Sequence, residues 1–167
     1  NGANGSTIID STGRHTPSLS PSGTRTIVSD RLQVGGGGFI RADAANTVNQ
    51  DFNFTGKDFS ISFEMHPTSG GTTWIFKKTS QDAAGGGSPY LVFIGTTLLQ
   101  FRSYDNQAIV SYTSPSTLVY VNTKIEIKRT GTTFQMLIND IVVDTQVYNE
   151  AQRPIDSSSQ NYGMIVG

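Results

Sequence analysis

Glu64 is the one acidic residue within the alternating run Phe59-Ser60-Ile61-Ser62-Phe63-Glu64-Met65. Hydrolysis of a glycosidic bond needs two carboxyl groups, one as acid and one as nucleophile or base, held roughly 5 to 9.5 Å apart. Along the chain the nearest acidic neighbours of Glu64 are Asp58 and, well downstream, Asp82, while Glu126 stands by itself in Lys-Ile-Glu-Ile-Lys. No local spacing places a second carboxylate beside Glu64, so the expectation is a non-enzymatic chain without catalytic residues. Glu64 is then the polar side of a strand. The two histidines carry no more. His15 lies in a Ser/Thr/Pro-rich stretch, His66 just before Pro67, and neither has a Ser or Asp at a spacing that marks a triad or a zinc site.

Cysteine is absent, which removes disulfides and thiolate metal sites. The oxygen donors Asp10, Asp82, Asp105 and Asn106 sit in turn-like stretches and would suit Ca²⁺, but no EF-hand spacing connects them and Asp is ordinary turn chemistry. The expectation is no cofactor and no metal, with Ca²⁺ the one ion whose chemistry fits. The run Gly35-Gly36-Gly37-Gly38 leads into Phe39-Ile40-Arg41, without the Lys-Ser/Thr that a phosphate-cradling loop places at the start of a helix.

Aromatic residues offer the remaining route to binding. A sugar ring docks its C–H face on an exposed aromatic ring while amides, carboxylates or backbone groups bond its hydroxyls. Tyr104-Asp105-Asn106 combines these groups in one turn, with Tyr90 and Tyr112 near other strand ends. Tyr104, Asp105, Asn106 and Tyr112 are therefore the candidate ligand-binding residues. Trp74 alternates with Phe76, and that pattern predicts both in the core.

The elements that must position these residues are strands. Phe59, Ile61, Phe63 and Met65 fall on one face of a period-2 pattern, which repeats at Trp74/Phe76, Leu99/Phe101, Ile125/Ile127 and Phe134/Met136/Ile138. Gly, Asn, Asp and Pro punctuate each run, as turn chemistry requires. Residues 124–145 predict a three-stranded meander with tight turns at Thr130-Gly131 and Asn139-Asp140. Asn149 to Pro154 is the one place where a short helix or helical turn fits. Strand centres about 8 to 14 residues apart indicate an all-β antiparallel sandwich. The interior expected from this pattern is Phe59, Ile61, Phe63, Trp74, Phe76, Leu99, Phe101, Ile125, Ile127, Phe134, Met136 and Ile138.

The order of the motifs adds a resemblance. Residues 1–15 at the start, then residues 35–43, 51–67, 72–80, 98–106, 122–145 and 161–167, resemble the laminin-G-like or concanavalin A-like lectin domains common in bacteriophage virion proteins. The likeness covers nearly the whole chain and is most telling in the opening element at 4–13 and in the segments 56–67 and 128–143. The resemblance implies a two-sheet antiparallel jelly-roll sandwich of concanavalin A-like type, formed by residues 1–167 as a single domain. It further implies a virion surface protein, such as a tail, fibre or decoration component, that adheres to host cell-surface carbohydrate in many copies and contacts other virion proteins. A structural decoration or spacer domain without ligand, and a glycan hydrolase, are the alternatives. Glucanases of concanavalin A-like fold carry Glu-x-Asp-x-x-Glu on one strand, a spacing this sequence lacks. Domains of this kind also open with an apolar strand and close with an acidic pair. Their absence here leads to the expectation of a longer polypeptide whose terminal edge strands lie outside this chain, with neighbouring subunits that supply the missing edges as the alternative.

Composition sets the outer bounds. With 167 residues the chain is one domain's worth, and a net charge of -1 without basic clusters argues against nucleic acid as a partner. No apolar run approaches the roughly 20 residues of a membrane span, so no membrane insertion is expected.

Overall fold

The computed structural model describes residues 54–77, 91–103 and 106–152 with their side chains, and residues 18–19, 24–28, 31–35, 40–41, 78, 90 and 164–166 as strand backbone. Five strands come from the two ends of the chain, β1 (Ser18–Leu19), β2 (Thr24–Val28), β3 (Arg31–Gly35), β4 (Ile40–Arg41) and β13 (Met164–Val166). The other eight are β5 (Phe59–Met65), β6 (Gly71–Lys78), β7 (Tyr90–Gly95), β8 (Leu98–Arg102), β9 (Ala108–Thr113), β10 (Thr123–Thr130), β11 (Thr133–Ile138) and β12 (Ile141–Val147). None of the described residues is helical.

Every strand pairing is antiparallel. A seven-stranded sheet has the order β1-β4-β13-β6-β7-β8-β9, a four-stranded sheet the order β12-β11-β10-β5, and β2 and β3 form a separate ribbon. The two larger sheets share one core, so the expected all-β antiparallel sandwich is the architecture observed.

The meander at residues 123–147 shows how local chemistry builds a sheet. Gly131, with φ +59°, and Thr132 make the two-residue turn between β10 and β11, one position beyond the expected Thr130-Gly131. The next turn is Asn139-Asp140, with φ +50° and +67°, so both residues take the left-handed conformation of a type I′ hairpin without the usual glycine. Asn139 compensates by accepting the Lys124 N–H on its side-chain oxygen at 3.0 Å.

The core is a column of aromatic rings. Phe76 stacks on Phe101 at 6.0 Å within the large sheet, and Phe101 stacks on Phe134 of the facing sheet at 6.2 Å. Phe59 meets both Phe101 and Phe134 edge-on, and Tyr148 closes the column against Phe134. Leu91, Leu99, Ile125, Ile127 and Met136 fill the layers around it and are fully buried. Of the residues expected inside, Phe59, Ile61 and Phe63 are half-buried against this core.

Trp74 is the correction. It is 44% exposed, because the register of β6 on β7 shifts between Trp74, opposite Val92, and Phe76, opposite Leu91. The extra residue, Ile75, turns Phe76 into the core and leaves Trp74 on the outer face, where strict alternation would have placed both on one side.

A second bulge acts at the seam of the sandwich. Met136 lies opposite Asp144 and Leu137 opposite Val142, so Val143 is the extra residue of β12. Asp144 consequently sits in register with buried Met136, and its Oδ2 accepts the Ser111 backbone N–H at 2.8 Å. A carboxylate on one sheet thus caps a backbone donor on the edge strand of the other. Of the stretch Asn149 to Pro154, where a short helix or helical turn is expected, residues 149–152 form one hydrogen-bonded turn and residues 153–154 lie outside the described residues. The Gln152 N–H donates to the Asn149 carbonyl at 3.2 Å, and the Ala151 N–H to the Asn149 side chain at 3.1 Å.

Candidate functional site

Cross-strand register decides what stands beside Trp74. Trp74 is opposite Val92, which is opposite Gln100, which is opposite Ser111; one row along, Lys77 is opposite Tyr90, which is opposite Arg102. Antiparallel partners share a face, so Trp74, Lys77, Gln100 and Arg102 all belong to the outer face of the large sheet. The Lys77 ammonium lies 4.6 Å from the centroid of the indole ring and orients it. Burial pushes the Lys77 pKa below the ordinary lysine value.

Across β7 the polar part of the site is tied together. Arg102 donates through Nε to Gln100 Oε1 at 3.0 Å, through a second guanidinium nitrogen to the same oxygen, and through a third to Asn106 Oδ1 at 3.1 Å. Asn106 has φ +65°, and its N–H donates to the Ser103 carbonyl at 3.0 Å. The Ser103 N–H and hydroxyl both donate to the Gln107 carbonyl, at 3.0 and 3.1 Å, and Ser103 is fully buried. The loop is therefore held at its base, with an amide and a guanidinium fixed two strands away from an exposed indole. Neighbouring strands run about 4.8 Å apart, so the polar groups stand roughly 10 Å from Trp74, a span of one to two sugar residues.

Asn106, a candidate ligand-binding residue of the sequence, is bonded to Arg102 in this network. Tyr104 and Asp105 lie outside the described residues. Tyr112 is opposite Leu99 and packs half-buried against the core, on the other side of the sheet. Lys77, Gln100 and Arg102 were not legible from the sequence. Their only local signal is the Trp74–Lys77 spacing, which lies on one face only when a bulge intervenes.

Glu64 is exposed on the solvent side of β5, opposite Lys124. Register brings Glu126, opposite Ser62, onto the same face, diagonal to Glu64. Lys124 is the residue directly across from Glu64, and the Ser60 hydroxyl donates to Glu126 Oε1 at 2.7 Å. Both carboxylates thus belong to the face of the four-stranded sheet that points away from the core. Among the described residues no three His, Cys, Asp or Glu side chains gather to hold a metal ion. Asp10, Asp82, Asp105 and His15 lie outside the described residues.

No family model matches the sequence, and no curated protein matches it. Solved structures do. A carbohydrate-binding module, CBM66, from Bacillus subtilis is similar at a TM-score of 0.53 and 16% identity, over 90% of this chain and 86% of that one. The binding domain of botulinum neurotoxin DC in complex with SialylT is similar at a TM-score of 0.54 and 12% identity, over 93% of this chain. The match spans 39% of the toxin chain. At these identities the likeness is one of fold, and the fold is the β-sandwich seen in both.

Proposed function

We propose that the chain is a non-enzymatic glycan-binding domain that holds a sugar on the outer face of its large sheet. The observation that carries this is the exposed indole of Trp74, oriented by Lys77 and faced across one strand by the bonded Gln100–Arg102–Asn106 network. In this reading Trp74 is the platform for the C–H face of a pyranose, and Gln100, Arg102 and Asn106 bond its hydroxyls. The names of the two similar structures, a carbohydrate-binding module and a toxin binding domain in complex with SialylT, support a carbohydrate ligand.

The setting we propose is a phage virion surface, where residues 1–167 act as one adhesive domain outside the cell, in many copies and beside other virion proteins. The order of sequence motifs supports it. A single shallow site binds weakly, and multiplicity supplies the avidity. Glycan-array and host-cell binding by an oligomeric display of the domain tests this reading. Binding that Trp74→Ala weakens about tenfold or more is expected, and no binding to any glycan or cell overturns it.

A second reading, a decoration or spacer domain, is favoured by one observation. The edge strand β12 exposes Ile141 at 67% and Val147 at 78%, apolar surface suited to a neighbouring protein. Glycan hydrolysis lost in both Glu64→Gln and Glu126→Gln would instead support catalysis.

A further inference from the structure

Tyr120 lies at the end of the sandwich, in the connection between β9 and β10, and is 69% exposed. Its backbone has φ +63°. The Val121 N–H donates to the Leu118 carbonyl at 3.1 Å, so Leu118 to Val121 form a turn with positive φ at the third residue alone, the type II form. Glycine is the residue that position favours, and a bulky aromatic there is strained. The conformation is nevertheless tightly held. The Tyr120 N–H donates to the Pro67 carbonyl at 2.7 Å, and the Leu118 N–H to the Thr96 carbonyl at 2.7 Å. The Ser114 N–H donates to the Thr97 carbonyl at 3.0 Å, and Leu118 itself is buried. Three connections, at 66–70, 95–97 and 114–122, are thereby locked together.

Two polar side chains stand beside the ring. His66 meets Tyr120 edge-on at 6.5 Å, and His66 Nδ1 is hydrogen-bonded to Asn122 Oδ1 at 2.8 Å. Val121, next in the chain, is 43% exposed. An aromatic face flanked by an imidazole and an amide matches the two sides of a sugar ring, its C–H face and its hydroxyls. Backbone strain retained at a side chain that contributes little to the core points to a task for that side chain.

We propose that Tyr120, His66 and Asn122 form a second carbohydrate site, separate from the Trp74 face, in which the Tyr120 ring stacks on a neutral pyranose residue while His66 and Asn122 bond its hydroxyls. The ligand class rests on the glycan-binding reading above. The site itself rests on the geometry of the three loops.

The decisive variant is Tyr120→Gly. Glycine relieves the backbone at the type II position while deleting the ring, so unfolding cannot be the reason for any lost binding. The probes are methyl glycosides of glucose, galactose, mannose and N-acetylglucosamine, at concentrations on the order of 10 mM, where a weak single site is partly filled. Backbone amide shifts report where each one binds.

At least one probe is expected to shift the amides of residues 66 and 118–122. Tyr120→Gly is expected to reduce the affinity about tenfold or more while the urea midpoint holds or rises. Asn122→Ala should weaken the same shifts and leave the Trp74 indole N–H signal unchanged. Shifts at the Trp74 indole with none at residues 66 and 118–122 would overturn the second site and leave the first standing. Shifts at 66 and 118–122 that survive Tyr120→Gly would also overturn it. Silence at both places would overturn both proposals.

Discussion

Arg129 and Glu150 form an ion pair largely withdrawn from water, at 2.8 Å, with side chains 7% and 17% exposed. The guanidinium also donates to the carbonyls of Gly131 at 2.8 Å and Phe54 at 3.1 Å, and lies over the Phe134 ring. The carboxylate in turn accepts the Gly56 N–H at 3.0 Å. One pair thus joins the segment before β5, the β10–β11 turn and the turn after β12 at one end of the sandwich.

Removing Glu150 leaves a buried guanidinium without its counter-charge, so Glu150→Ala is expected to cost about 3 kcal/mol. Urea denaturation checks this. Replacing both residues, as in Arg129→Met with Glu150→Leu, should cost less than the single change, since no charge is then stranded.

Trp74→Ala should leave stability within about 0.5 kcal/mol of the parent, because Trp74 stands outside the core. Glycan affinity should fall about tenfold or more. A loss of stability comparable to that of a core aromatic, about 3 to 5 kcal/mol for Phe101→Ala, would instead show Trp74 to be structural.

Gly70→Ala tests the contact between two of the loops that carry Tyr120. A Cβ at this position would lie 2.7 Å from Thr96 Cγ2 and 2.9 Å from the Gly95 carbonyl oxygen. The side chain can move and the backbone oxygen cannot, so a destabilisation of about 1 to 3 kcal/mol is expected. Thr96→Ser should rescue only part of it.

The Lys124–Asp140 pair gives a pH dependence. Its hydrogen bond and the attraction of Asp140, reinforced by Glu126 and Glu64, hold the Lys124 pKa above the ordinary lysine value of 10.5. The contribution to stability is therefore fully present below the unfolded-state pKa and is lost as pH rises through the raised folded value. Urea midpoints measured between pH about 9 and about 11.5 should show that loss, flattened in Asp140→Asn. High salt should shrink it, because both side chains are exposed.

In a Lys124→Met background, where the pair is absent, Asp140→Gly should stabilise the hairpin by up to about 1 kcal/mol. The reason is the left-handed φ of +67° at Asp140. A destabilised hairpin would mean that the Asp140 side chain supports the turn in some other way.

Much of the sandwich was legible because its information is local. The alternation in β5, β8, β10 and β11 marks one apolar face by a period of two, and the short polar turns between β10, β11 and β12 admit few connections. Asn106 was legible for the same reason, since an Asx residue in a turn tolerates positive φ.

Other features depended on residues far apart in the chain. The single extra residue at Ile75 is set by how β6 pairs with β7, and it alone moves Trp74 from the core to the surface. The extra residue at Val143 likewise brings Asp144 into register with Met136, where it caps Ser111 on the other sheet. Glu126 joins Glu64 on one face, and Gln100 and Arg102 join Trp74 and Lys77, only through cross-strand register. Tyr120 occupies a position that turn chemistry assigns to glycine because hydrogen bonds to Pro67 and Leu118 hold the loop there. Periodicity and turn preference are properties of a few consecutive residues, so the sequence by itself determined the strands and most of the core. Bulges, register and strained loops arise from pairing across long separations, and only the tertiary structure decided which side chains meet at the candidate sites.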